Sequence, residues 1–438
     1  MSTDTAIPVI SAGNLQARFQ TGIAYNTLGA VFNQGSTFAV NIIVANLLGR
    51  RIFGEYAMIQ STLATLALIA QFAAGYTATK YVAEFRSTNP QRAGRIIGML
   101  FAFSASLAGI AALALFAISG WLAGSVLKAP GIGSALAIGS GVLLFAVLNG
   151  LLMGVLAGLE SYRALARALV GSGLAYLFVC SGLAWWGGLN GAVAGLAVSG
   201  LLQFILLAGA VRKECSLQGI SIRYAGITQE RSILLRFALP GALSGFTTMP
   251  ALWLASTFLV RQPNGYSQMA IYSASFSLMT AVLFLPNIAN NVGMSLINHH
   301  KGAGRESEYQ WTFWVNLAVS GAIVILGTCF LALLGPTLLR LFGKDFTDGY
   351  PVLLILLLAT IVQGLAAAMY QVIQSQSRMW LSFLVVALPR DMLVVVLAYL
   401  LIPAHGARGF AWAYAASWTI ALLAIASIVF RIGLKSNA

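Results

Sequence analysis

The sequence predicts an all-α polytopic membrane protein, and two observations on its composition lead to this fold class. Of the 438 residues, 59% are hydrophobic and only 8% are charged, whereas soluble domains carry about a quarter charged residues. The apolar residues also form long continuous segments, each near the ~20 residues that a helix needs to cross a bilayer. Continuous segments argue against a β-barrel, because the strands of a barrel alternate in polarity.

Twelve apolar segments follow one another along the chain. Their approximate limits are 21–48, 55–79, 94–118, 135–158, 168–187, 190–211, 233–260, 268–296, 310–334, 350–375, 379–402 and 408–431. Six segments lie on each side of a polar stretch at about 212–232. We therefore predict twelve transmembrane helices in two six-helix bundles, an N-terminal one over 1–215 and a C-terminal one over 216–438, joined by this linker.

The two halves of the sequence also resemble each other. A shift of about 216 residues places Phe53–Ala57 on Met269–Ser273, and a shift of 218 residues places Arg18 on Arg236. Each half holds an even number of segments, so both halves have the same orientation, and such parallel repeats are related by an axis along the membrane normal. The expected fold is therefore pseudo-symmetric.

The basic residues predict how the chain lies in the membrane. It carries 25 Lys and Arg against 11 Asp and Glu, a net charge of +14. If the N-terminus lies in the cytoplasm, 17 of the Lys and Arg fall in cytoplasmic segments and 7 in outer ones. Cytoplasmic loops carry an excess of Lys and Arg, so we predict that both termini face the cytoplasm. Basic residues in cytoplasmic loops are sufficient to explain the net positive charge, so we do not predict nucleic acid as a partner.

Polar side chains inside the apolar segments recur at helical spacing, and such side chains tend to face the bundle interior or a water-filled cavity. The candidate cavity residues are Asn33 and Asn41 in the first segment, Gln60 in the second, Asn287 and Asn291 in the eighth, and Gln363 and Tyr370 in the tenth. One interpretation is that these groups hydrogen-bond between helices and stabilise packing. We favour a hydrated central cavity, because a long series of amides on one face is more than packing needs.

The pair Arg390-Asp391 is the most informative polar feature of the sequence. It follows Pro389 within an otherwise apolar segment, where an Arg or Asp at the bilayer centre costs about 2.5–3.5 kcal/mol by insertion scales. The pair is either structural, with its charge neutralised, or a functional charge at the cavity. In the second case it would contact an anion, carry a proton, or both.

Four basic residues at cytoplasmic ends of segments are candidates for contact with an anionic headgroup. They are Arg18, Lys80, Arg86 and Arg236. Arg18 and Arg236 stand at matching entrances of the first and seventh segments. The alternative is that these residues only anchor the segments at the cytoplasmic surface.

Other classes of site are not indicated. The three cysteines lie far apart, and His299 and His300 lack metal-ligand spacing, so we predict neither a disulfide framework nor a metal site. No segment fits the nucleotide-binding pattern G-x-x-x-x-G-K-[ST], and no catalytic cluster is visible. Trp412 and Trp418 are expected to anchor helices at the membrane interface. We therefore expect a secondary transporter or flippase without a cofactor, and not an enzyme.

Three stretches of the first half carry a resemblance to a known family. Gly54-Glu55-Tyr56 is followed by Ala78-Thr79-Lys80-Tyr81-Val82-Ala83-Glu84-Phe85-Arg86 and by Arg92-Ala93-Gly94-Arg95-Ile96-Ile97-Gly98. This sequence resembles the bacterial Wzx-type O-antigen flippases of the multidrug/oligosaccharidyl-lipid/polysaccharide (MOP) exporter superfamily. The match at the level of motifs covers mainly residues 18–98, and the second half is similar in layout.

The resemblance implies a fold, a substrate and a location. The fold would be a MATE-like V-shaped pair of six-helix bundles around a central cavity. The substrate would be an undecaprenyl-diphosphate-linked oligosaccharide, the repeat unit of an O-antigen, exopolysaccharide or capsule. It would move from the cytoplasmic to the periplasmic leaflet of the inner membrane by alternating access. Partners would be this lipid, membrane lipids, a polysaccharide polymerase and a chain-length regulator. Coupling to H⁺ or Na⁺ stays open, with Asp391 as the acid inside a segment.

Two other hypotheses compete with this one. The first is an ion-coupled multidrug or toxin exporter of the same superfamily, which would need membrane-embedded carboxylates for organic cations. The second is a membrane polymerase or ligase of polysaccharide chains, which would need a sizeable outer loop with Arg, His or acidic residues.

Overall fold

The part of the chain that the structure describes contains twelve apolar helices. The structure is a computed structural model, and the residues it describes are 12–230, 233–234, 247–302, 305–375 and 379–432. Eight helical stretches of these residues are long and apolar enough to span a bilayer, and the apolar helix Thr248–Val260 is shorter. Three of the eight are each divided in two by a glycine with non-helical dihedral angles, Gly49, Gly188 or Gly406. The prediction of twelve helices in an all-α membrane protein is thereby confirmed.

We number the helices in chain order. They are α1 (12–48), α2 (50–71, continued by Ala74–Phe85 after a break at Phe72 and Ala73), α3 (Pro90–Trp121), α4 (Gly133–Gly158), α5 (162–187), α6 (189–217), α7 (Thr248–Val260), α8 (Gly265–Gly302), α9 (Glu306–Phe342), α10 (Tyr350–Ser375), α11 (379–405) and α12 (407–432). Several helices reach beyond the predicted apolar segments, because hydropathy detects only the part inside the membrane. Thus α6 continues to Leu217, and its last turns carry the exposed Arg212 and Lys213.

The helices form two structurally similar halves, α1–α6 and α7–α12. Gly188, between α5 and α6, has φ 57° and ψ −134°, and Gly406, between α11 and α12, has φ 55° and ψ −131°. Only glycine adopts such angles readily, because it has no Cβ atom. The two glycines lie 218 residues apart, which is the shift that relates Arg18 to Arg236.

Both glycine turns fold one helix closely back on the preceding one. A Cβ atom on Gly191 would collide with the carbonyl oxygen of Leu183, and a Cβ atom on Gly409 would collide with that of Leu401. These pairs are also related by 218 residues. The pseudo-symmetry predicted from the sequence therefore extends to the backbone of the helical hairpins.

The halves contact each other inside the bundle, where Trp253 of α7 donates to Thr62 of α2 at 2.9 Å, and at one end of the molecule. We call this end the Gly49 face; it carries the turns at Gly49, Gly188 and Gly406. A Cβ atom on Gly54 of α2 would collide with the carbonyl oxygen of Tyr266 of α8, so the two backbones touch here. Phe53 packs against Phe346, with ring centroids 5.8 Å apart. All three aromatic side chains are buried and belong to the largest apolar core, which combines residues of both halves.

The opposite end, which we call the linker face, carries the α2–α3 turn, the α4–α5 turn and the mid-chain stretch 218–230. That stretch lies against the beginning of α3. Cβ atoms on Gly94 and Gly98 would collide with the carbonyl oxygens of Ser221 and Arg223, and the Arg223 N–H donates to the Gly94 carbonyl at 3.3 Å. The glycines thus let the linker approach the helix backbone.

An ion-pair cluster holds the same stretch in place. The carboxylate of Glu230 lies 3.1 Å from Nη2 of Arg92 and 3.5 Å from Nη2 of Arg95, and Glu230 is buried. The stretch Arg92–Gly98, which carries part of the family resemblance, therefore has a structural role as the docking surface of the linker.

Candidate functional site

The Arg390-Asp391 pair forms the centre of a polar cluster in the second half. Asp391 is 4% exposed, and its Oδ1 atom lies 2.8 Å from Nε and 2.7 Å from Nη2 of Arg390. Charge-assisted hydrogen bonds are roughly twice as strong as those between neutral groups. The carboxylate of Asp391 therefore balances the charge of Arg390 within the bundle.

Two further residues, which the sequence did not indicate as part of a site, contact the Arg390-Asp391 pair. Thr248, at the start of α7, accepts a hydrogen bond from Nη2 of Arg390 at 2.7 Å and donates one to Oδ2 of Asp391 at 2.9 Å. Trp418 of α12 lies beneath the guanidinium, whose carbon is 4.4 Å from the ring centroid. This is a cation–π contact.

The prediction that Trp418 anchors its helix at the interface is wrong. Its indole packs against the buried side chains of two core clusters and against Arg390. Trp412, by contrast, is 50% exposed, as an interface residue is expected to be. Trp412 and Trp418 are six residues apart, and a helix turns by about 100° per residue, so their side chains lie on different faces of α12.

The cluster extends from Trp418 to one predicted cavity residue. The Trp418 ring lies 6.3 Å from that of Tyr414, one turn earlier in α12. The Tyr414 hydroxyl donates to Oε1 of Gln363 of α10 at 2.8 Å. Polar and aromatic groups of α7, α10, α11 and α12 thus form one connected cluster, which we call the Arg390 cluster: Thr248, Gln363, Arg390, Asp391, Tyr414 and Trp418.

The Arg390 cluster leaves one part of the guanidinium unused. Nε and Nη2 are bonded to Asp391 and Thr248, whereas Nη1 donates to no acceptor among the described residues. The side chain as a whole is 13% exposed. The arginine is therefore fixed in position but keeps donors for a further acceptor.

Three amide side chains, one each from α8, α9 and α10, form a hydrogen-bonded network. Asn316 Nδ2 donates to Oδ1 of Asn290 at 3.1 Å and to Oε1 of Gln371 at 3.2 Å. Ser320 also donates to Asn290, at 3.1 Å, and all four side chains are buried. These side chains therefore hydrogen-bond between helices and stabilise packing. In α8 the buried amide is Asn290, which was not among the predicted cavity residues. Its neighbour Asn287 is exposed.

The remaining cavity candidates lie apart from the Arg390 cluster. Gln60 lines a mainly apolar cavity of about 270 Å³ with residues of α4 and α6, so that cavity lies within the first half. Asn41 is buried, and its Oδ1 has no hydrogen-bond partner among the described residues. Asn33 is half-buried. In the second half, Tyr370 accepts a hydrogen bond from Ser382 at 2.5 Å.

The candidates for headgroup contact divide into two groups. Arg86 donates to the carbonyl oxygen of Leu159 at 2.8 Å and pairs with Glu160 at 2.6 Å, so it closes the α4–α5 turn. Lys80 is exposed, and its Nζ lies 5.1 Å from the Tyr81 ring centroid. Arg236 and the side chains of Arg18 and Asn291 lie outside the described residues.

Metal ligands do not come together in the described ranges, where no three His, Cys, Asp or Glu side chains form a group that could hold an ion.

Comparison with known proteins places the chain among membrane transport proteins by similarity alone. No family model matches the chain. In sequence it is similar to the EPS I polysaccharide export inner membrane protein EpsE of Ralstonia nicotianae. The two are 22% identical over 401 residues, which cover 90% of this chain and 89% of that protein.

Solved structures share the fold over most of the chain. An inward-facing multidrug resistance MATE family transporter of the MOP superfamily superposes with a TM-score of 0.72 and 15% identity, covering 89% of this chain and 92% of that one. The lipid II flippase MurJ, in an inward closed conformation, superposes with a TM-score of 0.69 and 12% identity, covering 92% and 87%. These relatives are transport proteins. The predicted resemblance is confirmed: the chain is a multi-pass membrane protein with the pseudo-symmetric twelve-helix fold of MOP-superfamily flippases and exporters.

Proposed function

We propose that the chain flips a polyprenyl-diphosphate-linked oligosaccharide from the cytoplasmic to the periplasmic leaflet of the bacterial inner membrane. The substrate would be a repeat unit of an exopolysaccharide, capsule or O-antigen. The observation that carries the proposal is the Arg390 cluster, a restrained arginine inside the helix bundle of a chain similar to a polysaccharide export protein.

Arg390 would recognise the diphosphate. A phosphate oxygen accepts hydrogen bonds from a guanidinium in a planar, two-pronged geometry, and the Nη1 donors of Arg390 are available for it. Thr248 and Asp391 hold the guanidinium before the substrate arrives, so less conformational entropy is lost on binding. Asp391 also balances the charge of Arg390, so that the arginine is not an isolated cation in the membrane before substrate binds.

The polar and aromatic neighbours would contact the sugar. Gln363 and Tyr414 offer amide and hydroxyl groups at the edge of the cluster. Asn33, Asn41, Gln60, Asn287, Asn291 and Tyr370, which lie outside this cluster, remain candidates for further contacts with the sugar. The lipid tail needs no such partners, because it can stay in the bilayer while the headgroup crosses.

Movement of the two bundles, 1–215 and 216–438, would expose the site to each side in turn. The closely packed Gly54 and Tyr266 join the halves at the Gly49 face. The basic loops predict that the linker face is cytoplasmic, and in that orientation both termini are cytoplasmic. Rocking of the bundles about the Gly49 contacts would alternate access, as in other transporters built from repeats.

Accessory roles follow from this arrangement. Lys80, with Arg18 and Arg236, would collect the diphosphate at the cytoplasmic surface, where Arg86 already closes a turn. Asp391 is the acid through which H⁺ or Na⁺ coupling would act. A polysaccharide polymerase and a chain-length regulator would receive the product on the periplasmic side.

A deletion strain tests the proposal. Lipid-linked oligosaccharide is quantified on each face of the inner membrane after complementation with wild type, Arg390→Ala or the control Arg261→Ala. Arg261 is exposed at the α7–α8 turn. We expect the precursor to stay on the cytoplasmic face with the vector alone and with Arg390→Ala, and to be flipped with wild type and the control. Normal flipping without the protein would refute the proposal.

A second candidate is an ion-coupled multidrug exporter, which the fold shared with the MATE transporter favours. Organic cations would need a free carboxylate in the membrane, and Asp391 is already paired with Arg390. Greater drug susceptibility of the deletion strain with unchanged surface glycan would support this candidate.

A further inference from the structure

A second cluster of cationic side chains surrounds a cavity at the Gly49 face, away from the Arg390 cluster. The cavity has a volume of about 360 Å³. Its polar lining consists of Arg50, Gln268, Asp348, His405 and Arg408. Arg50 comes from the first half and the other four residues come from α8, the α9–α10 connection and the α11–α12 turn, so the cavity lies between the halves.

Arg50 connects the two halves at this cavity. Its Nη1 atom donates to the carbonyl oxygen of Asp345 at 2.9 Å and to the carboxylate of Asp348 at 3.3 Å. Its Nε atom donates to the carbonyl oxygen of Ser267 at 3.3 Å. The side chain of Arg50 is 20% exposed, whereas that of Asp348 is 74% exposed. The arginine is therefore held by its surroundings and the aspartate is largely in solvent.

Arg408 faces the same cavity without a counterion. Within the described part of the chain its side chain forms no ion pair or hydrogen bond, and it is exposed. His405 lies three residues earlier, across the Gly406 turn. That turn is fixed by Gln268, whose Oε1 accepts the Ala407 N–H at 3.3 Å. The cavity lining therefore contains two arginines, Arg50 and Arg408, but only one acidic residue, Asp348.

We propose that this cavity binds a phosphate or diphosphate group at the Gly49 face. The two arginines that line the cavity can each offer N–H donors to phosphate oxygens, and His405 can donate a further hydrogen bond. The apolar side chains of Ile271, Val352 and Ala404 form the rest of the lining. The volume accommodates one diphosphate and excludes a whole oligosaccharide.

Binding of the anion competes with Asp348 for Arg50. A carboxylate and a phosphate require the same donors of the guanidinium, so occupation of the cavity weakens the Arg50–Asp348 contact between the halves. The site is independent of the proposed function, since it can be occupied in the purified protein without transport. The ligand is either a soluble phosphate compound or the phosphate of a lipid headgroup in the adjacent leaflet.

The binding of pyrophosphate to the purified full-length protein tests the proposal. Titration calorimetry is carried out in phosphatidylcholine nanodiscs on wild type, Arg408→Gln, Asp348→Asn and the control Arg261→Gln. We expect Arg408→Gln to weaken binding by roughly three- to tenfold, the effect of losing charge-assisted hydrogen bonds at a partly exposed site. Asp348→Asn should tighten binding, because the competing carboxylate is gone, and the control should not differ from wild type.

A second arm distinguishes the two sources of phosphate. The titration is repeated in nanodiscs that contain phosphatidylglycerol. If a lipid headgroup is a ligand, wild type will bind pyrophosphate more weakly in phosphatidylglycerol than in phosphatidylcholine, and Arg408→Gln will not show this difference. If the ligand is a soluble phosphate compound, wild type will bind pyrophosphate equally in both lipids. Absence of pyrophosphate binding in wild type would overturn the proposal. An equal loss of binding in Arg408→Gln and Arg261→Gln would overturn it as well.

Discussion

The guanidinium of Arg390 lies over the indole ring of Trp418, 4.4 Å from the ring centroid. The two residues are 28 positions apart and sit on neighbouring helices, α11 and α12. This contact covers one side of the guanidinium, while Asp391 and Thr248 occupy part of its edge. The arginine is therefore oriented by three neighbours.

Replacement of Trp418 tests whether this orientation matters. Trp418→Ala removes a cation–π contact worth about 0.5–2 kcal/mol and leaves Arg390 free to change rotamer. We expect flipping per molecule of protein to fall by roughly tenfold, and Trp418→Phe to retain most of it because a ring remains. The exposed Trp412→Ala serves as the control. Equal activity of Trp418→Ala and wild type would mean that the ring is not needed to orient Arg390.

Replacement of Gly54 tests the contact between the halves. Gly54→Ala places a methyl group against the Tyr266 backbone, which cannot move aside as a flexible side chain would. We expect a loss of roughly 1–3 kcal/mol of stability, typical of overpacking, seen as a lower thermal unfolding temperature in detergent. Gly120→Ala is the matched control, since a Cβ atom there meets no other atom within 4 Å. Equal unfolding temperatures for both variants would contradict the close packing.

Replacement of Glu230 tests the docking of the linker. Glu230→Gln removes the carboxylate that faces Arg92 and Arg95, so the stretch 218–230 should separate from α3 more often. We expect trypsin to cleave after Arg223 several times faster than in wild type. Glu84→Gln, at an exposed position, should leave the cleavage rate unchanged. The prediction fails if both variants are cleaved at the wild-type rate.

Replacement of Asn316 tests the packing role of the amides in the second half. Asn316→Ala leaves Asn290 and Gln371 without their shared donor, at a cost of about 0.6–2 kcal/mol for interhelical hydrogen bonds in membranes. We expect a lower unfolding temperature and unchanged flipping per molecule of protein. Asn190→Ala, on an exposed side chain, is the control. A loss of flipping with unchanged stability would instead place Asn316 in the substrate path.

The sequence predicted the fold better than the site, for physical reasons. Apolar segments of membrane length are local features, so the twelve helices could be counted without knowledge of their packing. The partners of Arg390 could not be found in this way. Thr248 lies 142 residues before it, and Trp418 is indistinguishable by sequence from an interface tryptophan.

The polar residues illustrate the same limit. Helical spacing selects polar residues but does not show which neighbour each of them meets. Asn290 joins a buried amide network, Gln60 faces a cavity within the first half, and Gln363 joins the Arg390 cluster through Tyr414. Gly94 and Gly98 were visible in the sequence, yet the linker that they accommodate was recognised only in the structure.

Reconstitution tests the central claim most directly. Purified wild type, Arg390→Gln and Arg261→Gln are placed in liposomes with a short-chain polyprenyl-diphosphate-linked oligosaccharide, and the fraction accessible to an external glycosidase is followed over time. We predict that wild type and Arg261→Gln make the inner-leaflet lipid accessible, and that Arg390→Gln does so at least tenfold more slowly. Accessibility that rises equally in protein-free liposomes, or equally with Arg390→Gln and wild type, would contradict the role assigned to the Arg390 cluster.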